Sequence, residues 1–152
     1  MLDNHPRVRD GQEYREFVLV EQGESGAPMT VSLTQHDVRE LQLAKAAIRT
    51  GIQVLLAANG RTEQELDQVI IAGAFGSYID VASAVAIGMM PNLPLERFRQ
   101  VGNAAGMGAK MALISSSQRK KAQALASRVK YVELGSAPSF SEIFLNACSL
   151  SA

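Results

Sequence analysis

A glycine-containing segment after an apolar run is the first feature of this sequence that could bind a ligand. The run Gln68–Ala72 is predicted to be a buried strand, and it leads into a predicted tight loop, Gly73-Ala74-Phe75-Gly76. Because glycine has no Cβ, its backbone can approach a base, a ribose or a phosphate closely. Ligands of open α/β sheets commonly bind at such strand ends. The segment fits a nucleotide site, and a simple tight connection is the alternative.

A second glycine-rich segment, 102–109, leads into a helix predicted over Ala104–Ile114. Each interior glycine costs about 1 kcal/mol relative to alanine, so Gly106 and Gly108 need compensation. One face of the helix carries only small residues: Ala105, Gly108, Ala109 and Ala112. The glycine spacing departs from the dinucleotide-binding fingerprint, and no acidic residue follows about 20 residues on. Close packing against another helix is therefore favoured over phosphate binding.

The longest predicted helix, Gln35–Ala58, carries polar side chains on or beside its apolar stripe. Lys45 lies within the stripe, and Gln42 and Arg49 lie beside it. A lysine on an apolar face can extend its ammonium to solvent. It can also present its charge to a phosphate or a carboxylate in a cleft. Both interpretations stay open for Lys45.

The remaining elements are predicted from turn residues and helix caps. Residues 1–13 are predicted to form a flexible arm, and 14–152 a single domain. The predicted strands are 14–20, 29–33, 68–72, 98–101 and 129–134, with the first two forming a hairpin. Further helices are predicted over 80–87, over 116–128 after a cap at Ser116 or Ser117, and after a capping box of Ser139 and Glu142. Since strands alternate with helices after Thr34, the fold class is α/β.

Composition restricts the partners and the compartment. The 15 Lys and Arg residues balance the 15 Asp and Glu residues, so the charge predicts no nucleic-acid or membrane-surface partner. The single cysteine, Cys148, fits a reducing cytoplasm. The apolar run Ile52–Ala58 is too short to cross a bilayer, and we expect a cytoplasmic protein. His5 and His36 have no ligand cluster at metal-binding spacing, so no metal site is predicted. No residue is assigned a catalytic role.

Four segments form one ordered pattern: Thr34–Ile48, Ala72–Asp80, Val101–Ala109 and Tyr131–Leu134. In order and spacing they resemble the C-terminal domains of reductive activators of corrinoid iron–sulfur proteins. That family belongs to the superfamily of acetate and sugar kinases, heat-shock chaperone ATPases and actin. The resemblance implies the second half of an actin-like (ribonuclease H-like) ATPase domain, with a mixed sheet and flanking helices.

The resemblance also assigns site residues. It implies that Gly73, Ala74, Phe75 and Gly76 match the adenosine motif, and that 104–112 matches a connecting helix that packs on the first half of the domain. The full predicted cofactor-binding set is Gly73, Ala74, Phe75, Gly76, Gln42, Lys45 and Asn103.

Cofactors and partners follow from the same resemblance. It implies ATP with Mg²⁺ in the full-length relative, and an iron–sulfur cluster that a chain with one cysteine cannot hold. The expected partners are the missing N-terminal ATPase half and a corrinoid or methyltransferase protein, with a homodimer as a further expectation. The chain is expected to be a fragment that supplies the adenosine-binding loop and a hinge helix and is inactive alone. A non-catalytic docking or structural module and a small dinucleotide-binding protein are the alternatives.

Overall fold

A computed structural model describes residues 5–150 of the chain, apart from the side chain of Phe75. Strands and helices alternate along most of it, joined by short 3-10 turns. In chain order they are β1 (Val8–Asp10), β2 (Arg15–Val20), β3 (Val31–Thr34), α1 (Gln35–Ala58), β4 (Val69–Ile71), α2 (Gly73–Tyr78), α3 (Val81–Ala86), β5 (Phe98–Gln100), α4 (Ala104–Ile114), α5 (Ser116–Ala126) and α6 (Phe140–Ala147). The predicted α/β class is confirmed.

The first three strands form an antiparallel sheet in the order β1-β2-β3. The predicted hairpin of β2 and β3 is confirmed, with Phe17 opposite Leu33. Residues 8–10 differ from the predicted flexible arm, because they pair with β2 as a strand. A strand of three residues is too short to show alternation of apolar and polar residues in the sequence. Backbone pairing with β2 and two ion pairs hold this strand in place. Arg9 Nε lies 2.7 Å from Glu16 and Arg9 Nη1 lies 2.9 Å from Glu21.

Helix α1 begins where its local sequence predicts. Thr34 Oγ1 accepts a hydrogen bond from Asp37 N at 3.1 Å, and Asp37 Oδ2 accepts one from Thr34 N at 2.8 Å. This reciprocal pair satisfies two backbone donors that a helix start otherwise leaves unpaired. The helix ends at Ala58, and Gly60 follows with φ +62°, a left-handed conformation that favours glycine.

The hydrophobic core lies where α1 packs over the second sheet. Strands β4 and β5 pair in parallel, from Val69 opposite Phe98 to Ile71 opposite Gln100. The buried cluster consists of Ile71, Ala84, Met89 and Met90, with Ile48 and Ile52 of α1 packed against it. The parallel and antiparallel strands, predicted as a mixed sheet, fall into two sheets in the described chain.

Four local predictions are wrong. Gly73–Gly76 opens a helix, α2, instead of a tight loop. Residues 129–134 form no strand: Val129 and Tyr131 are exposed, and no strand of the described chain pairs with this stretch. Ser139 makes no capping bond to α6, and Ser115 caps α5 through Gln118 N.

Within residues 5–150, no helix combines the length and the apolar character needed to cross a membrane.

Candidate functional site

The parallel pairing of β4 and β5 brings two strand-to-helix junctions to one edge of the second sheet. Helix α2 begins at Gly73, two residues after β4, and α4 begins at Ala104, after the turn that follows β5. Two backbone bonds join the junctions: Gly73 N donates to Gly102 O at 2.6 Å, and Val101 N donates to Ile71 O at 3.0 Å. Carboxyl ends of parallel strands are the usual ligand position in α/β folds.

The two glycines of the first junction have different roles. Gly73 has φ +88°, and a Cβ built on it would meet nothing within 4 Å. Its backbone is therefore left-handed and faces open space, as close approach of a ligand requires. A Cβ on Gly76 would lie 2.9 Å from both Cγ2 and O of Ile71. Gly76 is thus needed for the close contact of α2 with β4, whereas a nucleotide site at Gly73 stays a prediction.

Gln100, which the sequence analysis did not single out, fixes the position of α2. Its Nε2 donates to the carbonyl oxygen of Gly76 and, at 2.9 Å, to that of Ile79. One feature of the sequence could have indicated this role: Gln100 is an amide residue at the end of a short strand, two positions before Gly102. These two bonds connect the end of β5 to Gly76 inside α2 and to Ile79, the residue that follows α2.

Asn103 is the N-cap of α4. Its Oδ1 accepts a hydrogen bond from Gly106 N at 2.8 Å. The folded-over amide lies so close that a Cβ on Gly106 would be 2.6 Å from Asn103 Nδ2, which explains this interior glycine. The first turn of α4 contains no acidic residue, so the partial positive charge of the helix N-terminus is not offset by a side chain of that turn.

Gln42 and Lys45 are engaged elsewhere, between α1 and the residues after α6. Gln42 Nε2 donates to Cys148 O at 2.9 Å, and Lys45 Nζ donates to Ser149 O. Lys45 is only 2% exposed, so the interpretation that it extends to solvent is wrong. Burial lowers the pKa of Lys45, and the nearby Arg49 guanidinium lowers it further, whereas Cys148 opposes the shift.

The structure therefore divides the predicted site residues into two groups. The glycine segment and Asn103 lie at the adjoining junctions after β4 and β5. Lys45 lines a cavity between α1, the turn after α3 and α6, and neither Gly73 nor Gly76 belongs to its lining. Across the described residues, no group of three or more His, Cys, Asp or Glu side chains could hold a metal ion.

Comparison with known proteins agrees with this architecture. Residues 1–152 match the family described as the C-terminal domain of RACo, the ASKHA domain. The chain is 38% identical over 148 residues to the corrinoid activation enzyme RamQ of Eubacterium limosum, covering 95% of this chain and 25% of that protein. A solved structure of a reductive activator for corrinoid, iron-sulfur protein superposes with a TM-score of 0.82 at 35% identity, covering 93% of this chain and 23% of that one. The chain thus spans about a quarter of either relative. The predicted family and actin-like fold class are confirmed.

Proposed function

We propose that this chain, which belongs to the family of C-terminal ASKHA domains of RACo, is the C-terminal lobe of an ATP-dependent reductive activator of a corrinoid protein. In this role it supplies the adenosine-binding segment and a hinge helix. The names of the two relatives, a corrinoid activation enzyme and a reductive activator for corrinoid, iron-sulfur protein, support the proposal.

The observation that carries the nucleotide part of the proposal is the open, left-handed Gly73 at the carboxyl end of β4. A base or a ribose can lie against the backbone of Gly73 and Ala74, because Gly73 has no side chain and the space where its Cβ would lie is open. The hydrogen bond from Gly73 N to Gly102 O holds the second junction, which contains Asn103, next to Gly73. Gln42 and Lys45 stay predictions as nucleotide ligands, since their polar atoms bind the residues after α6 in this structure.

In the proposed mechanism, ATP bound between two lobes would supply the free energy for an otherwise unfavourable reduction of cobalt in the partner. The residues of this chain bind and orient the adenosine side. Other parts of the full-length activator would hold the phosphates, Mg²⁺ and an iron–sulfur cluster, which would supply the electron. Helix α4 is the proposed hinge helix, and its residues from Ala104 to Met111 are exposed, as a helix that packs on another lobe requires. We expect the isolated chain to bind adenine nucleotides weakly and to release no phosphate from ATP, because half a cleft makes only part of the contacts.

A calorimetric titration of the chain with adenosine, ATP and NAD tests this proposal. Gly73→Val should abolish the binding of adenosine and ATP, since the new side chain occupies the space in front of the junction. Gly60→Val is the matched control: Gly60 also has a positive φ and open space around it, but it follows α1. It carries the same backbone strain and should retain binding.

Equal loss of binding in both variants would show that strain alone caused it, and would refute the site. Binding of NAD in preference to ATP would favour the dinucleotide-binding alternative. Binding of none of the three ligands would favour a docking module.

A further inference from the structure

A cavity of about 440 Å³ lies between α1, the turn after α3 and α6. This volume is within the range of small-molecule sites. Its polar lining comes from α1 and from the segments that face it: Lys45, Arg49, Gln53, Asn92, Asn146 and Ser149. Asn92 and Asn146 are exposed, so the cavity is open to solvent, whereas Lys45 is buried.

The buried ammonium of Lys45 has no acidic counter-charge among the described residues that line this cavity. An ammonium group carries three donors, and within the described residues Lys45 uses one of them, toward the neutral carbonyl of Ser149. Arg49 pairs with Glu63 through Nη2 at 2.8 Å, but its Nη1 is buried without a hydrogen-bond partner in the described chain. No described residue of the lining is acidic. A buried charge without a counter-charge is unfavourable, so this arrangement favours an anion.

A purely structural role for Lys45, as a tie between α1 and the residues after α6, accounts for only part of these observations. The carbonyl of Ser149 does not neutralise the ammonium, and the tie leaves Arg49 Nη1 unexplained. The surroundings of the ammonium also leave space on the side of Gly88, where a Cβ would be 3.5 Å from Lys45 Nζ.

We propose that the cavity binds a small molecule carrying an oxyanion, a phosphate or a carboxylate, with Lys45 and Arg49 as its cationic ligands. Arg49 Nη1, which has no hydrogen-bond partner in the described chain, can donate to an oxygen of either group. The amides of Gln53, Asn92 and Asn146 can both donate and accept hydrogen bonds, and so suit polar atoms next to the anionic group. The site is separate from the Gly73 junction and does not rest on the proposed nucleotide function.

Nuclear magnetic resonance titration of the chain locates the binding. Inorganic phosphate and succinate are the probes, and sodium chloride at the same ionic strength is the control. Saturable shifts of the side-chain amide signals of Asn92 and Asn146 with phosphate or succinate, and not with chloride, are the expected result. The probe that binds more tightly identifies the chemistry. Shifts that are absent, that do not saturate or that fall outside the cavity overturn the proposal.

Substitutions test the cationic ligands. Lys45→Met should weaken binding of the preferred anion about tenfold or more, as loss of a charge-assisted hydrogen bond predicts. Lys121→Met, at an exposed position of α5, should leave it unchanged. Glu63→Gln should tighten binding, because it removes the carboxylate that competes for Arg49, whereas a structural ion pair alone would change only stability.

If Lys45→Met fails to fold, Arg49→Gln carries the same test. The proposal is overturned if a folded Lys45→Met or Arg49→Gln variant keeps the anion affinity of the parent chain. It is also overturned if Lys121→Met loses as much anion affinity as they do. Adenosine binding should be unchanged by Arg49→Gln, because Arg49 lines the cavity and is outside the predicted nucleotide-binding set, so failure here is distinct from failure of the Gly73 site.

Discussion

Gly108 lies inside α4 where nothing in the isolated chain requires a glycine. The residue is exposed, its φ is not positive, and a Cβ built on it would meet no atom within 4 Å outside its own helix. Interior glycine in a helix is about 1 kcal/mol less favourable than alanine. Gly108→Ala should therefore raise the free energy of unfolding by about 1 kcal/mol.

Gly106 is the internal control, because it lies in the same helix and is also exposed. A Cβ there would be 2.6 Å from Asn103 Nδ2 and 3.0 Å from Oδ1, so the capping amide must move. Loss of an N-cap costs about 1 kcal/mol, which offsets the gain in helix propensity. Gly106→Ala should leave the free energy of unfolding nearly unchanged, and the two variants should differ by about 1 kcal/mol.

Urea and thermal unfolding at low protein concentration measure this difference. For a chain of this length 1 kcal/mol corresponds to a shift in Tm of about 2–4 °C. Sedimentation must show that both variants are monomeric, since association would add its own stabilisation. If Gly108→Ala destabilises the monomer, the small face of α4 is packed within this chain, and the reasoning from its exposure is refuted.

Three further predictions concern association, the buried lysine and pH. The chain should self-associate at high concentration through the small face of α4, and Gly108→Leu should abolish that association in sedimentation while circular dichroism shows a folded monomer; an unfolded variant would contradict it. Lys45→Met should stay folded in urea titrations, with a change below about 2 kcal/mol, because the lost bond to Ser149 O and the relieved burial of charge offset each other; unfolding would mean that Lys45 is a structural partner. Hydrogen bonds from Thr34 lower the pKa of Asp37, so the contribution of Asp37 to the free energy of unfolding is present above its unfolded-state pKa and is lost as pH falls through its folded-state pKa. Asp37→Asn should therefore make the free energy of unfolding fall less steeply at acidic pH. An unchanged dependence on pH would exclude this role.

The sequence predicts those parts of the fold whose causes are local. The start of α1 depends on Thr34 and Asp37, three residues apart, and its end depends on Asn59-Gly60. The β2–β3 hairpin follows from apolar runs on either side of turn residues. Strand β4 follows from three consecutive branched residues, which are common in strands. None of these requires knowledge of a distant partner.

Distant contacts account for most of the differences. Residues 129–134 have the composition of a strand, but the described chain offers them no strand to pair with. The fate of Lys45 depends on Ser149, 104 positions away, and helical spacing alone cannot show whether such a lysine is buried. Gln100 is a similar case, since its role depends on carbonyls 21 and 24 positions earlier in the chain. The sequence thus indicated both glycine junctions but could not show that Lys45 lines a separate cavity.

Helix α4 runs from the proposed adenosine site to the surface that we propose meets the other lobe. Its N-terminus, capped by Asn103, adjoins the open Gly73 junction through Gly102. Along its length Met107 is 59% exposed and Leu113 is 77% exposed, and within this chain α4 packs chiefly against α5. A ligand that shifts the N-terminus of a helix can shift the whole helix, because backbone hydrogen bonds connect its successive turns. In the full-length activator, adenosine at the Gly73 junction would therefore fix the orientation of the face that meets the other lobe.

Coupling of this kind requires that the nucleotide bind more tightly to one arrangement of the lobes than to the other. To measure that coupling, the ATP affinity of a Gly108→Leu variant is compared with that of the parent sequence, both in the isolated chain and in the full-length protein. The substitution should leave the weak affinity of the isolated chain unchanged. It should reduce the ATP affinity only where the second lobe is present.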